Sequence, residues 1–487
     1  MTQLPTAPFA VETADRATSG HLPVPPAAPP LVPQPGTGTA PPRQPAWSQT
    51  LARLRAGSRT EPGRLRIIGA LLAGLMLLFG GATAWQVADR TAAAGTVIDS
   101  SQPLSSDAAS IHRSLVDANT TAAAGFLAGS AEPPGVRERY EEDIAQAARL
   151  ITAAAAHGSG SAESQPEIAA LNTHLPLYTG LAETARANDR QGLPLGGAYL
   201  RHADRMMQDT MLPAADRLHR SETARYTADH REARAWPWFA LLTGALALVA
   251  LGWAQRRHFL RTHRVFNPGL LAATAATAVL LLWLAGAHGV ASSALDRADR
   301  TGARSVQALN EAWAGALQAR GDENMTLVAR GAGTAFAESY QEHMTGIAGP
   351  PGAPGGVLAE ALALADDEAG REAVREAVRG AETWRDRHAV AMERERAGDY
   401  ETAVSLVTGD VAASEDGSPA GESTGEAFDL VNDSLAEAVD HEQRQFEEAA
   451  ERGRTALTGL TVGALLLALL GSAAAVLGIG RRLSEYR

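Results

Sequence analysis

Four stretches of this 487-residue chain contain no Asp, Glu, Lys or Arg and are each long enough to cross a bilayer: residues 67–86, 235–255, 269–290 and 456–480. The hydrocarbon core of a membrane takes about 20 consecutive apolar residues in a helix. A helix inside a water-soluble domain seldom needs so long an uncharged run, so the pattern predicts four transmembrane helices. One short loop at 256–268 separates the middle two, and two long segments, 88–234 and 291–454, join the others.

Charge predicts which way the chain faces. Before the first apolar run stand Arg43, Arg53, Arg55, Arg59, Arg64 and Arg66 against Glu61. The 256–268 loop carries Arg256, Arg257, Arg261 and Arg264 with no acid, and the 481–487 tail carries Arg481, Arg482 and Arg487 against Glu485. Arginine-rich flanks remain on the cytoplasmic side. The reading is therefore a multi-pass plasma-membrane protein with both termini cytoplasmic and the two long segments outside. Those segments are acidic: 88–234 has 19 acids against 14 arginines, net −5, and 291–454 has 32 against 15, net −17. Trp85, Trp236, Trp238 and Trp253 lie at the ends of the apolar runs, where indoles favour the headgroup layer. Residues 1–64 hold the pairs Pro25-Pro26, Pro29-Pro30 and Pro41-Pro42 and read as a disordered, partly polyproline II cytoplasmic tail.

The composition excludes much chemistry. With no Cys there is no disulfide, thiolate metal site or catalytic thiol. All 43 basic residues are Arg, so there is no P-loop or Schiff-base lysine. No catalytic, cofactor-binding or metal site is predicted. His441-Glu442 lacks the second histidine of a zinc helix, and Asp366-Asp367-Glu368 are consecutive on a predicted helix and fan apart. His288, near the outer end of the third span, reads as an interfacial hydrogen-bonding residue, and Gly69-x-x-x-Ala73 and Gly459-x-x-x-Gly463 as close-packing spacings in the first and fourth spans.

The two outer segments read as helical bundles built to one plan. Ala88-Asp89-Arg90-Thr91 recurs as Ala298-Asp299-Arg300-Thr301, and Tyr178, Arg190 and Gly192 correspond to Trp384, Arg396 and Gly398 at one constant offset. Breaks at Glu132-Pro133-Pro134-Gly135, at 157–160 and at 192–197 divide the first segment into four helices. Breaks at 349–356, 397–399 and 414–425 do the same in the second. Between them the chain is rich in Ala, Leu, Glu and Arg, and no strand is expected. No strong breaker separates the first span from the helix after it, or Phe428 from the fourth span. Pro213 marks the start of the first bundle's last helix, and Pro237 a kink at the interface. The fold expected is an all-α membrane protein with four transmembrane helices and two extracytoplasmic helical bundles in tandem repeat.

This layout, with Trp384, His388 and the turn Ala397-Gly398-Asp399-Tyr400-x-x-Ala403, resembles the four-helix sensor domains of bacterial chemoreceptors and histidine kinases. The layout departs from that family in that no kinase or methyl-accepting module is expected after the spans. The whole chain resembles more closely an actinobacterial four-span membrane protein that links an extracytoplasmic glutamine-binding lipoprotein to protein kinase G. The local likeness lies in 183–200, 322–333 and the ending Arg481-Arg482-Leu483-Ser484-Glu485-Tyr486-Arg487. The resemblance implies a non-catalytic transducer that relays extracytoplasmic amino-acid status, through a solute-binding protein, to a cytosolic Ser/Thr kinase. The expected cytoplasmic contacts are Arg256, Arg257, Arg261, Arg264, Arg481, Arg482, Tyr486 and Arg487. The expected partners are the bilayer, the solute-binding lipoprotein and the kinase, with a homo-oligomer left open and no nucleic acid. A structural envelope or division scaffold is the alternative; a transport subunit fits less well, because the spans lack the charged residues that substrate paths use.

Overall fold

The fold is seen in a computed structural model, which describes residues 61–129, 132–157, 163–262, 267–353, 355–409 and 423–484. The expected tail up to residue 60 and the expected breaks at 158–160 and 414–422 lie outside these. The described residues form one compact unit of helices with no strand. The chain is an all-α membrane protein.

In chain order the helices are α1 (Glu61–Thr96), α2 (Gln102–Ala128), α3 (Pro134–His157), α4 (Gln165–Arg190), α5 (Leu195–Met206), α6 (Leu212–Arg234) and α7 (Trp238–Thr262). The second half holds α8 (Pro268–Arg297), α9 (Arg304–Val328), α10 (Thr334–Ala348), α11 (Gly356–Leu364), α12 (Glu368–Arg396), α13 (Tyr400–Thr408), α14 (Thr424–Ala456) and α15 (Leu460–Ser484). The stretches long and apolar enough to span a membrane lie in α1, α7, α8 and α15. These four form a ring in which α1 packs on α7 and α15, and α8 packs on the same two.

Small residues set the spacing of the ring. Gly80 on α1 faces Ala468 and the Ala464 carbonyl on α15, and Gly269 on α8 faces Gly478 on α15, each with no room for a Cβ. Of the glycines singled out by spacing, Gly463 receives the Trp283 ring and Gly69 meets Ile479, whereas Gly459 has open space around it. The outward faces carry large apolar side chains, among them Leu71, Leu78, Leu242, Val249, Leu282, Leu466 and Leu477. Small residues at the closest helix contacts, with bulky apolar side chains exposed on the outward faces, suit a lipid surround.

The duplicated plan is visible in backbone detail. At the end of α4, Gly192 N–H donates to Asp189 O and Leu193 N–H to Asn188 O; at the end of α12, Gly398 N–H donates to Glu395 O and Asp399 N–H to Arg394 O. Both are Schellman caps, and both place a glycine at positive φ, +68° at Gly192 and +84° at Gly398. α2 thus corresponds to α9, α4 to α12, α5 to α13 and α6 to α14. Each copy ends its first helix at positive φ, with Gly129 after α2 and Arg330 and Gly331 after α9. The second copy has one further break, after Gly349 at φ +77°, which divides α10 from α11 where the first has the single helix α3; Ala365–Asp367 then separates α11 from α12, where Asp367 accepts from Gly370 N–H.

The links from spans to bundles are helical, with local widening. α1 runs into α2 through a π-helical turn at Val97–Ser101, and α8 into α9 through one at Ala298–Ala303. A third, Met207–Met211, joins α5 to α6, so Pro213 follows an expanded turn instead of opening a new helix. The two of these turns that lie in the first bundle end two residues before Pro103 and Pro213. Proline has no N–H to return to the preceding turn, and a widened turn accommodates that loss. The returning links are broken. Ala235 leaves helical geometry ahead of Pro237, and Gln86 Oε1 accepts from Ala240 N–H at 2.8 Å to satisfy the new helix start. The expected unbroken run from Phe428 through the fourth span is also interrupted: α14 ends at Ala456, and a turn with Gly459 at φ +81° precedes α15.

Overpacking at a close helix contact costs about 1–3 kcal/mol. Gly80→Leu is therefore expected to lower the thermal midpoint of the detergent-solubilised protein. Gly74→Leu, at a position with open space around it, should leave it unchanged.

Candidate functional site

α2 and α9, the first helices of the two bundles, lie against each other and bring both bundles into one hydrophobic core. Ile111, Leu115 and Ala118 of α2 and Leu309, Ala312, Ala316 and Leu317 of α9 are fully buried in it. Polar contacts cross the seam along its length. Arg113 donates to Asn310 Oδ1 at 2.5 Å and lies over the Trp313 ring at 4.2 Å. Trp313 Nε1 in turn donates to Asn432 Oδ1 at 2.8 Å. Further along, Thr120 Oγ1 donates to Leu317 O at 2.8 Å, and Asn324 Nδ2 to Thr120 O at 3.3 Å.

α9 is buried on every side from Ala319 to Val328. Successive side chains on a helix turn by about 100°, so Asp322, Glu323 and Asn324 serve three different neighbours. Asp322 pairs with His343 of α10 at 2.7 Å, and Asn324 crosses to the first bundle. Glu323 enters the core of the second. It pairs with Arg320 and takes hydrogen bonds from His388 Nδ1 at 2.8 Å, Thr424 Oγ1 at 3.1 Å and Trp384 Nε1 at 3.2 Å. Arg320 also donates to Val407 O at 2.8 Å, and Tyr340 stacks on His388 with ring centres 3.6 Å apart. Burial alone would raise the Glu323 carboxyl; Arg320 and His388 outweigh it and hold the group below its ordinary range.

The first bundle builds the corresponding frame with different groups. Tyr178 OH donates to Asn119 Oδ1 at 3.2 Å, and Asn119 Nδ2 to Asp204 Oδ1 at 2.9 Å. Arg186 lies over the Tyr140 ring at 4.9 Å and pairs with Glu132 at 3.0 Å. The corresponding positions are Tyr178 and Trp384, Tyr140 and Tyr340, and Asn119 and Glu323, so at this last position the carboxylate belongs to the second copy, while the first buries Asp204 beside Asn119.

Two grooves flank the seam. One, of about 510 Å³, is lined by His112, His219, Asn310, Gln318, His343 and neighbouring residues. Burial, with His219 and Arg113 nearby, pushes His112 down to about 4, so it is neutral in use. The other, of about 250 Å³, is lined by Asp117, Thr120, Arg139, Arg320, Asn324 and Asp429. Among the described residues no group of three or more His, Asp or Glu side chains is arranged to hold a metal ion.

The residues expected at the cytoplasmic face fall at the basic ends of the spans. Arg256 and Arg257 follow the apolar stretch of α7, with Arg257 over the Trp253 ring at 5.2 Å, and Arg481 lies near the end of α15. Arg261 and Arg482 are in these helices by backbone, and Arg264, Tyr486 and Arg487 lie outside the described residues. At this end Gln255 Nε2 donates to Thr274 Oγ1 at 2.7 Å, and Asn267 Nδ2 to Gly478 O at 2.9 Å, tying α7 to α8 and α8 to α15. Arg113, Thr120, Trp313, Asn324 and Asn432 escape a sequence reading because nothing local marks a polar residue that pairs across about 200 positions. Glu323 escapes because consecutive polar residues read as a solvated face. An Asp-Glu-Asn run bounded by Leu317, Met325 and Leu327 is the one available signal.

Residues 93–231 match the family described as the actinobacterial sensor domain. The matched stretch runs from the last turn of α1 into α6, which is the first bundle. No curated protein and no solved structure matches the chain.

Removing one partner of a buried ion pair costs about 3–5 kcal/mol, so Glu323→Gln is expected to lower stability at pH 7 by that order, read by chemical denaturation. The Glu323 carboxyl is held low in the folded state. Its contribution is therefore full above the unfolded value of 4.5 and fades as pH falls through the lower folded value. The variant should accordingly show a flatter acid limb than the wild type.

Proposed function

We propose that the chain is a non-catalytic transmembrane sensor that relays extracytoplasmic amino-acid status, delivered by a solute-binding protein, to a cytosolic partner such as a Ser/Thr protein kinase. The observation that carries this reading is the path from seam to membrane. The two helices that meet at the seam, α2 and α9, are the two that continue into spans without leaving helical geometry, over Gly63–Ala128 and Pro268–Val328. A partner that prefers one setting of the bundles acts on α1 and α8 together. Coupling of this kind is typically worth about 1–3 kcal/mol. The sensing description of residues 93–231 supports an input at the first bundle.

The output surface in this proposal is the basic end of the ring. Arg256, Arg257, Arg261, Arg264, Arg481, Arg482, Tyr486 and Arg487 present to the cytosol, and the Gln255 and Asn267 hydrogen bonds transmit a shift of α8 to its neighbours. The direct test is deletion of the gene while external glutamine or glutamate is varied. Kinase-dependent phosphorylation in the cytosol should stop responding to the amino acid. A response that persists at full size removes the proposal, and an envelope defect with an intact response would favour a scaffold.

A further inference from the structure

A cavity of about 250 Å³ lies beside the membrane-proximal part of the seam, lined by α2, α6 and the start of α9. Four of the buried side-chain atoms that lack a hydrogen-bond partner belong to three residues of its lining: both ring nitrogens of His230, Nδ1 of His219 and Nε of Arg234. All four are nitrogens. His230 is only 4 % exposed, so the protein has withdrawn an imidazole from water and given it nothing to bind. A buried polar group without a partner costs about 1–3 kcal/mol, so an arrangement of several calls for an occupant.

The charge of the lining indicates its sign. Arg231, Arg234 and Arg304 line the cavity, against one carboxylate, Asp299. Asp299 pairs with Arg304 at 3.3 Å, and Arg234 pairs with Asp296 just outside. Arg231 is exposed and makes no ion pair among the described residues. This basic lining is set against outer segments that carry net charges of −5 and −17. Gln102, Gln307 and Asn310 add amide donors from the facing helices. Burial holds both imidazoles below their ordinary range while the cavity is empty, and a bound anion would favour their protonated, donating form. Water fills polar cavities too, but it accepts and donates alike and gives no reason for the unpaired Arg231 beside three unpartnered ring nitrogens.

We propose that this cavity binds a phosphate group and thereby ties α6 of the first bundle to the base of α9 in the second. A phosphate group presents several anionic acceptor oxygens, which suits convergent guanidinium, imidazole and amide donors. The phosphate has two sources of equal chemistry, an anionic lipid headgroup or a soluble phosphate. The lower rim makes the first geometrically reasonable: Arg234 is two residues from Trp236, whose ring meets His288 at 5.1 Å near the end of the α8 apolar stretch.

The test uses the full chain. In detergent, millimolar inorganic phosphate, with chloride at matched ionic strength as reference, is expected to raise the thermal midpoint by several degrees. In nanodiscs without free phosphate, phosphatidylglycerol is compared with phosphatidylcholine. A shift in the first arm identifies soluble phosphate, and one in the second a headgroup; either supports the site provided it is lost in Arg231→Gln/Arg304→Gln. Both side chains are exposed, so the variant should fold; phosphorus-NMR line broadening of inorganic phosphate, and of the phosphatidylglycerol headgroup in the discs, by the wild type measures occupancy should it not. No shift in either arm together with unbroadened lines, or a shift that survives the double substitution, overturns the site and leaves a water-filled cavity.

Discussion

The contact between α2 and α9 is the one on which the rest of the structure depends. A single four-helix bundle of about 150 residues can bury its own core, but these two share one. Ile111 and Leu115 from one copy and Leu309, Ala312 and Leu317 from the other are buried without remainder. Each fully buried large aliphatic side chain contributes about 1.5–3 kcal/mol, and the polar contacts of Arg113, Thr120 and Asn324 set the register. Because α2 and α9 are direct extensions of α1 and α8, the same contact constrains how two of the four spans sit in the ring.

The two copies have diverged in what they bury. The first copy, whose residues 93–231 match the sensor-domain family, holds Tyr178 and Asn119 where the second holds Trp384 and Glu323. A charge withdrawn fully from water demands fixed partners, and Glu323 has four. The centre of the second bundle is thereby committed to one arrangement.

The membrane layout was legible because it rests on absence of charge over about 20 residues, a signal no soluble helix reproduces. The duplication was legible at Tyr178, Arg190 and Gly192 because a Schellman cap requires glycine at a fixed place, and the two caps superpose bond for bond. The seam was not legible. Periodicity tells that α9 has a buried face, not which helix covers it, and α9 is buried all round from Ala319, so its polar residues point inward. The break after Gly459 and the turn at Arg330–Gly331 were missed for a related reason: in a chain this rich in glycine, one more residue at positive φ carries no mark.

The absence of cysteine from the chain makes the seam open to direct measurement. A Cβ placed on Gly321 stands 4.0 Å from Thr120 Cβ, within the spacing of about 3.5–4.5 Å that disulfides adopt. In membrane vesicles under mild oxidant, Thr120→Cys/Gly321→Cys is expected to form an intramolecular cross-link between the two bundles in nearly every molecule. Two cysteines that remain free and react separately with maleimide would show that α2 and α9 do not meet, and the shared core would have to be abandoned.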